Sequence, residues 1–232
     1  MCAALLEMRT LLFLSFVPET RGLEISERAL FCTLKLISLN TVFIRDPMKV
    51  LIVYATRYGA TAGTSEEIAK TLREEGFDIR VVNAKEEKVK DISEYELVVV
   101  GSGMQMGKWT SEADGFLSRF HNELDKVKLA LFVSTMKPVS EREGKIDDVA
   151  KIRKAALENQ VTKYNLHPIA LGFFGGIIDY NKMNFLFRRT MGFLKPQLEK
   201  DGFKEVRPGV YDLRSWDEIR NWAKELATKT RQ

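Results

Sequence analysis

Five short apolar runs, each separated from the next by polar or helix-patterned sequence, constrain this chain more than any other feature. They are Lys49–Ala55 (KVLIVYA) and residues 77–83, 97–101 (LVVVG), 129–135 (LALFVST) and 169–174 (IALGFF). Runs of this length without polar alternation suit strands covered on both faces. Helical patterns fall at about residues 65–75, 112–124, 146–163 and 216–228, with Gly76 as the stop of the first. Alternation of this kind implies an α/β fold with a doubly wound parallel sheet, and right-handed crossovers place helices on both of its faces.

In such sheets a ligand binds beyond the carboxyl ends of the strands, where the strand order reverses. Three loops are therefore expected to matter: residues 56–61, 102–109 and 135–145. The first follows the first strand directly and reads Thr56-Arg57-Tyr58-Gly59-Ala60-Thr61. A loop between a strand end and a helix start aims backbone N–H groups at one point, where the helix dipole also favours an anion. Thr56 and Thr61 add hydroxyls, and Gly59 lets the backbone come close. The combination suits a phosphate monoester. Neither G-x-G-x-x-G nor G-x-x-x-x-G-K-[ST] occurs here. The T-x-x-G-x-T spacing without a lysine instead resembles the phosphate loop of flavodoxins, which bind FMN.

The second loop reads Gly101-Ser102-Gly103-Met104-Gln105-Met106-Gly107-Lys108-Trp109. Its glycines open room for backbone contact, while Met104, Met106 and Trp109 offer flat or polarisable apolar surface. An isoalloxazine ring needs such a bed. The alternative is that Trp109 caps the core and the glycines serve a turn.

Composition narrows the remaining classes. With 45% hydrophobic and 29% charged residues, the chain has ample material for a core. Its longest uncharged apolar stretches, such as residues 36–44, fall short of the roughly 18–20 needed to span a bilayer. A net charge of +4 is too small to argue for nucleic acid. Cys2 and Cys32 both precede Met48, which excludes a disulfide framework or cysteine metal site from the main domain. A reducing, cytoplasmic compartment is expected. His121 and His167 are far apart in sequence and read as structural, and no metal site is expected.

Residues 1–47 do not share the alternating pattern. Residues 11–17 form a short apolar run, but Glu7 stands where a signal peptide carries positive charge, and small cleavage-site residues are missing. Met48 immediately precedes the first strand. The expectation is an N-terminal extension over 1–47, untranslated or disordered, followed by one domain over 48–232. A targeting or docking segment is the alternative.

YATRYGAT, the SGMQMGKW loop and a long insertion after the fifth strand together resemble the flavodoxin-domain family. Within it they are most similar to the menaquinone-dependent protoporphyrinogen IX dehydrogenases of haem synthesis. The resemblance spans residues 48–226 and implies a flavodoxin-like strand order of 2-1-3-4-5, with FMN as cofactor. It implies that residues 57–61 bind the phosphate, and that residues 102–107 with Ser134, Thr135 and Met136 hold the ring and ribityl chain. A quinone or porphyrinogen substrate would follow. Residues 62–67 depart from the family by being longer than expected, which makes Gly63 and Thr64 alternative phosphate donors.

The insertion, residues 175–215, distinguishes an enzyme from a simple carrier. Within residues 181–195, Met183, Leu186, Phe187, Met191 and Leu194 share a helical stripe, widened by Phe185 and Phe193. From Lys182 to Arg214 there are eight Lys/Arg against four Asp/Glu, an excess equal to the whole chain's net charge. A basic amphipathic helix of this kind can lie on an anionic membrane surface through residues 182–195, cover the flavin, or simply pack on the sheet edge with its charges solvated. No Ser/His/Asp or Cys/His constellation occurs, and Asp179 and Tyr180 are the only candidates for proton transfer. The leading expectation is an FMN-dependent oxidoreductase. An electron carrier serving a protein partner and a flavin-free binding module are the alternatives.

Overall fold

The computed structural model describes residues 46–104, 107–142 and 144–232. The expectations for residues 1–45, Gln105 and Met106 fall outside the described residues. In chain order the elements begin β1 (Lys49–Ala55), α1 (Ala60–Glu74), β2 (Asp78–Asn83), β3 (Leu97–Gly103), α2 (Ser111–Leu124) and β4 (Lys128–Thr135). There follow α3 (Lys137–Arg142), α4 (Ile146–Arg153), a π turn (Lys154–Glu158), α5 (Asn159–Tyr164), β5 (Ala170–Gly175) and β6 (Ile177–Asp179). A 3-10 turn (Tyr180–Lys182), α6 (Phe185–Met191), α7 (Leu194–Lys200), β7 (Glu205–Arg207), β8 (Val210–Asp212) and α8 (Trp216–Arg231) complete the chain.

Strands β1 to β5 form one parallel sheet in the order β2-β1-β3-β4-β5, the order expected from the sequence. Alternate residues of each central strand enter different cores, which is why the strands read as unbroken apolar runs. Leu51, Val53, Val98, Val100, Leu129, Leu131 and Val133 meet Phe116, Leu117 and Phe120 of α2 and Ala156 and Leu157 of the π turn. Val50, Ile52, Leu97, Val99, Ala130 and Phe132 meet Ile68 and Leu72 of α1 and Ile219, Ala223 and Leu226 of α8. One end of each of two covering helices is finished locally. The Ser215 hydroxyl caps α8 by accepting from the Glu218 N–H at 3.3 Å, and Gly76 ends α1 with its N–H donating to the Arg73 carbonyl.

Beyond β5, a three-stranded sheet in the order β6-β8-β7 and the helices α6 and α7 build a third, smaller core. Tyr211, Leu198, Ile178 and Met183 are buried there. Its polar anchor is Asp179, whose carboxylate is only 2% exposed. The carboxylate accepts from the Asn181 N–H at 3.1 Å and lies 3.4 Å from the Arg207 guanidinium and 3.9 Å from Lys182 Nζ. A buried carboxylate is tolerated only with partners of this kind.

Three expectations need correction. Residues 181–195 do not form one helix. Pro196 lacks the N–H that would bond to the Gly192 carbonyl, so the chain breaks at 192–193 and restarts with Pro196 in the first turn of α7, where proline is tolerated. The apolar residues accordingly divide: Met183, Met191 and Leu194 pack into the third core, whereas Phe185, Leu186 and Phe193 face outward. Residues 146–163 are likewise interrupted by the π turn, and the expected loop 135–145 contains α3.

Candidate ligand site at the carboxyl edge of the sheet

The carboxyl ends of β1, β3 and β4 open into one cavity of about 410 Å³. Strand order reverses between β1 and β3, so the cavity sits at the switch point of the sheet. Its floor is polar and backbone-rich: Thr56, Arg57, Tyr58, Ala60 and Thr61 from the first loop and helix, Gly103 and Met104 from the end of β3, and Ser134, Thr135 and Met136 from the end of β4, with Gly107 nearby.

Local geometry explains the floor. The Gly59 N–H donates to the Thr56 hydroxyl at 2.9 Å, closing a tight turn. Gly59 itself has φ of 96°, a left-handed conformation that glycine alone adopts without strain. The turn delivers the chain straight into α1, which begins at Ala60 rather than near residue 65. Helix α1 has neither a side-chain cap nor an acidic residue in its first turn. Its leading N–H groups have no partner within the helix, and no acidic side chain in its first turn offsets the positive end of its dipole. The hydroxyls of Thr61 and Ser134 are buried and hydrogen-bond to nothing among the described residues. A buried hydroxyl without a partner is costly, so two of them at one cavity mark where a polar ligand atom belongs.

The remaining expected residues separate cleanly. Thr135 lines the cavity but directs its hydroxyl to the Phe174 carbonyl at 3.3 Å. Ser102 does not line it. Its hydroxyl accepts from the Thr110 N–H at 3.0 Å and lies 3.1 Å from the Thr110 hydroxyl, which ties the returning loop to β3. Trp109, expected in the ring bed, is buried in the core beneath α2, and its indole N–H donates to the Ala156 carbonyl at 2.5 Å. The alternative reading of Trp109 as a core cap is the one the structure takes. Gly63 and Thr64 are also placed inside α1 rather than at its tip. Arg214 is pressed against Gly63, and Thr64 is fully buried.

Asp179 and Tyr180 do not reach the cavity either. Burial pushes the Tyr180 phenol above its usual pKa, aided by the charge of Glu205, and its O–H donates to the Met191 carbonyl at 3.0 Å. Both residues brace the segment that roofs the site.

Sequence reasoning places Met183 and Met191 on a stripe that can cover the flavin, but it misses the other wall and roof residues. Ile152 and Ala155 come from α4 and the π turn, Gly176, Ile177 and Ile178 from β6 and its approach, and Met183, Met191 and Leu213 from the third core. The Gly175-Gly176 pair after β5 was an available signal, because a Cβ on Gly175 would lie 2.0 Å from the Leu213 carbonyl oxygen. Nothing in the sequence singled out Leu213. Among all the described lining residues only Arg57 carries a charge, and none is a carboxylate, histidine or cysteine. The site is a narrow polar cradle under an apolar slot, suited to a flat molecule with an anionic tail.

Fold and site together define a doubly wound protein with a βα loop and an uncapped helix N-terminus at its switch point. Residues 51–204 match the flavodoxin domain, and the chain belongs to that family. It is similar to the protoporphyrinogen IX dehydrogenase [quinone] of Leishmania major, with 25% identity over 183 residues, covering 77% of this chain and 74% of that protein. The enzyme of the same description from Escherichia coli strain K12 is 23% identical over 185 residues, covering 79% of this chain and 97% of that protein. A solved flavodoxin from the domain Archaea has 13% identity and a TM-score of 0.46, covering 80% of this chain and all of that one, a likeness too loose to carry an argument.

Proposed function

We propose that the protein is an FMN-dependent oxidoreductase that oxidises a porphyrinogen and delivers the electrons to a quinone. The observation that carries the cofactor assignment is the pair of buried, unpartnered hydroxyls, Thr61 and Ser134, at the floor of an apolar cavity. FMN fits that arrangement. Its phosphate would be held by Thr61, the Thr56–Gly59 turn and the leading N–H groups of α1, with Arg57 at the rim. Met104, Met136, Ile152 and Ala155 would flank the ring.

When bound, FMN supplies the electron-transfer chemistry. The chain's own residues bind, orient and exclude water. Ser134 offers a second hydroxyl at the floor, and Ile177, Ile178, Met183, Met191 and Leu213 form the apolar side of the slot. None of the described lining side chains is a carboxylate, histidine or cysteine, so a bound flavin would itself supply the redox chemistry. The roof is what supports an enzyme over an electron carrier: it is built of apolar side chains from the insertion, as a pocket for a flat apolar substrate requires. Similarity to two protoporphyrinogen IX dehydrogenases supports the choice of substrate.

The test begins with the visible spectrum of the purified chain and identification of any released flavin, followed by turnover of protoporphyrinogen with a quinone acceptor. Stoichiometric FMN with quinone-linked turnover supports the proposal. FMN without turnover would leave the electron carrier as the better account, and a colourless protein that takes up no FMN would leave the flavin-free module.

A second expected outcome isolates the cradle. Thr61→Val removes one buried hydroxyl at constant shape. It should leave thermal stability unchanged or slightly raised, because an orphaned polar atom is lost, while weakening FMN about tenfold to 100-fold, the usual worth of a hydrogen bond to a charged group. Fluorescence quenching on titration with FMN reads the affinity. Equal affinity in the variant would place the phosphate elsewhere.

A further inference from the structure

We infer that α6 and the break that follows it form a docking surface for an anionic phospholipid bilayer. This goes beyond the catalytic proposal, and the binding does not require it.

The structure turns outward the side chains that helical periodicity would have buried. Phe185 is 78% exposed, Leu186 76% and Phe193 72%. Three of the five large exposed apolar side chains among the described residues therefore lie within nine positions. Scattered exposed apolar residues are ordinary, whereas a cluster rimmed by charge marks a contact surface. The rim here has one sign. No Asp or Glu occurs between Asp179 and Glu199, while Lys182, Arg188, Arg189 and Lys195 do. Lys182 and Lys195 are partly offset by Asp179 and Glu205. The Arg188 guanidinium donates to the carbonyls of Met183, at 3.2 Å, and Asn181, at 3.4 Å. Backbone carbonyls orient that group without cancelling its charge. Arg189 has no carboxylate partner among the described residues.

Apolar side chains beside uncompensated arginines match the two layers of an anionic membrane surface, acyl chains below and phosphates above. Among the described residues no helix is long and apolar enough to cross a membrane, so the contact would be peripheral. The same short segment faces the cavity with Met183 and Met191. Docking would therefore place the roof of the site against the lipid, where a lipid-soluble quinone enters without crossing water. That last consequence rests on the oxidoreductase reading.

The full chain should co-sediment with phosphatidylcholine vesicles only when they also contain phosphatidylglycerol, and less so at high salt. Arg188→Glu with Arg189→Glu should weaken this binding about 30-fold or more, and Arg189→Glu alone guards against disturbance of the turn that Arg188 braces. Phe185→Ser, Leu186→Ser and Phe193→Ser together should weaken it about tenfold or more. Melting temperature and bound flavin should not change in any of them. Three outcomes would overturn the inference: no binding by the parent chain, parent-like binding by all the variants, or a stable dimer that these substitutions dissociate without any vesicle binding. A colourless protein that still binds vesicles through these residues would remove the flavin reading alone.

Discussion

Gly103→Val is expected to give a folded protein that binds flavin roughly tenfold to 100-fold more weakly and so loses much of it on purification. Gly103 ends β3 and lines the floor of the cavity. A Cβ there would lie 3.3 Å from the Thr61 hydroxyl and 3.5 Å from the Arg57 backbone nitrogen, so the first loop and helix tip approach β3 across an absent side chain. The branched carbons of valine would extend into the cradle that this leaves. Strand ends accept valine readily, which keeps the effect at the site. Overpacking of a fitted space costs about 1–3 kcal/mol, and the same cost charged to the ligand is a loss of affinity of roughly tenfold to 100-fold. Flavin content on purification and the melting temperature of the flavin-stripped protein separate the two effects. A variant that purifies with stoichiometric flavin would show that the ligand does not lie against β3.

The largest expected effect on stability is that of Phe132→Ala. Phe132 is fully buried at the middle of β4, 5.9 Å from the Phe174 ring and 6.3 Å from the Trp222 ring between centroids. Both neighbouring strands yield space to it. A Cβ on Gly101 of β3 would come 2.2 Å from its ring, and one on Gly172 of β5 would come 2.8 Å from its Cβ. With glycine on either side, the cross-strand neighbours have no side chain with which to fill the void. Removal of a buried phenylalanine ring costs about 3–5 kcal/mol, and a poorly collapsing site lies at the upper end. For a domain of this size that corresponds to a fall in melting temperature of roughly 10 °C. Phe185→Ala provides the contrast. It removes the same atoms from an exposed position and should change stability by less than about 0.5 kcal/mol. A drop of only a few degrees for Phe132→Ala would mean that the glycine-flanked packing is looser than it looks.

Much of this fold was legible in the sequence because one physical signal dominates it. Strands buried on both faces must be apolar at every position, and Val50–Val53, Leu97–Val100 and Leu129–Val133 are. The first loop was legible for a similar reason: a glycine and hydroxyls between a buried strand and a helix have few other uses. The errors arise where tertiary contacts outrank local pattern. Trp109 looks like a ligand platform until the π turn presents the Ala156 carbonyl to its indole N–H. The stripe from Met183 to Leu194 has good helical spacing, and only the missing N–H of Pro196 divides it. Ser102 and Thr110 are eight residues apart, and no local rule announces that their hydroxyls meet at 3.1 Å. The roof was the least legible part, because Leu213 and Ile178 come together only through the β6-β8 pairing.

The π turn has a consequence for how this site could change over generations. It holds one residue more than regular helical winding requires, and it supplies a wall of the cavity through Ala155, next to Ile152 of α4. Excision of a single residue there would restore ordinary winding and rotate the preceding turn by about 100° relative to the one after it. Ile152 would leave the cavity and another side chain of α4 would replace it, while the sheet and the phosphate loop stayed as they are. The shape of the slot can thus be redrawn by one codon's deletion, a coarser and faster route to a new substrate than replacing its lining residues one at a time.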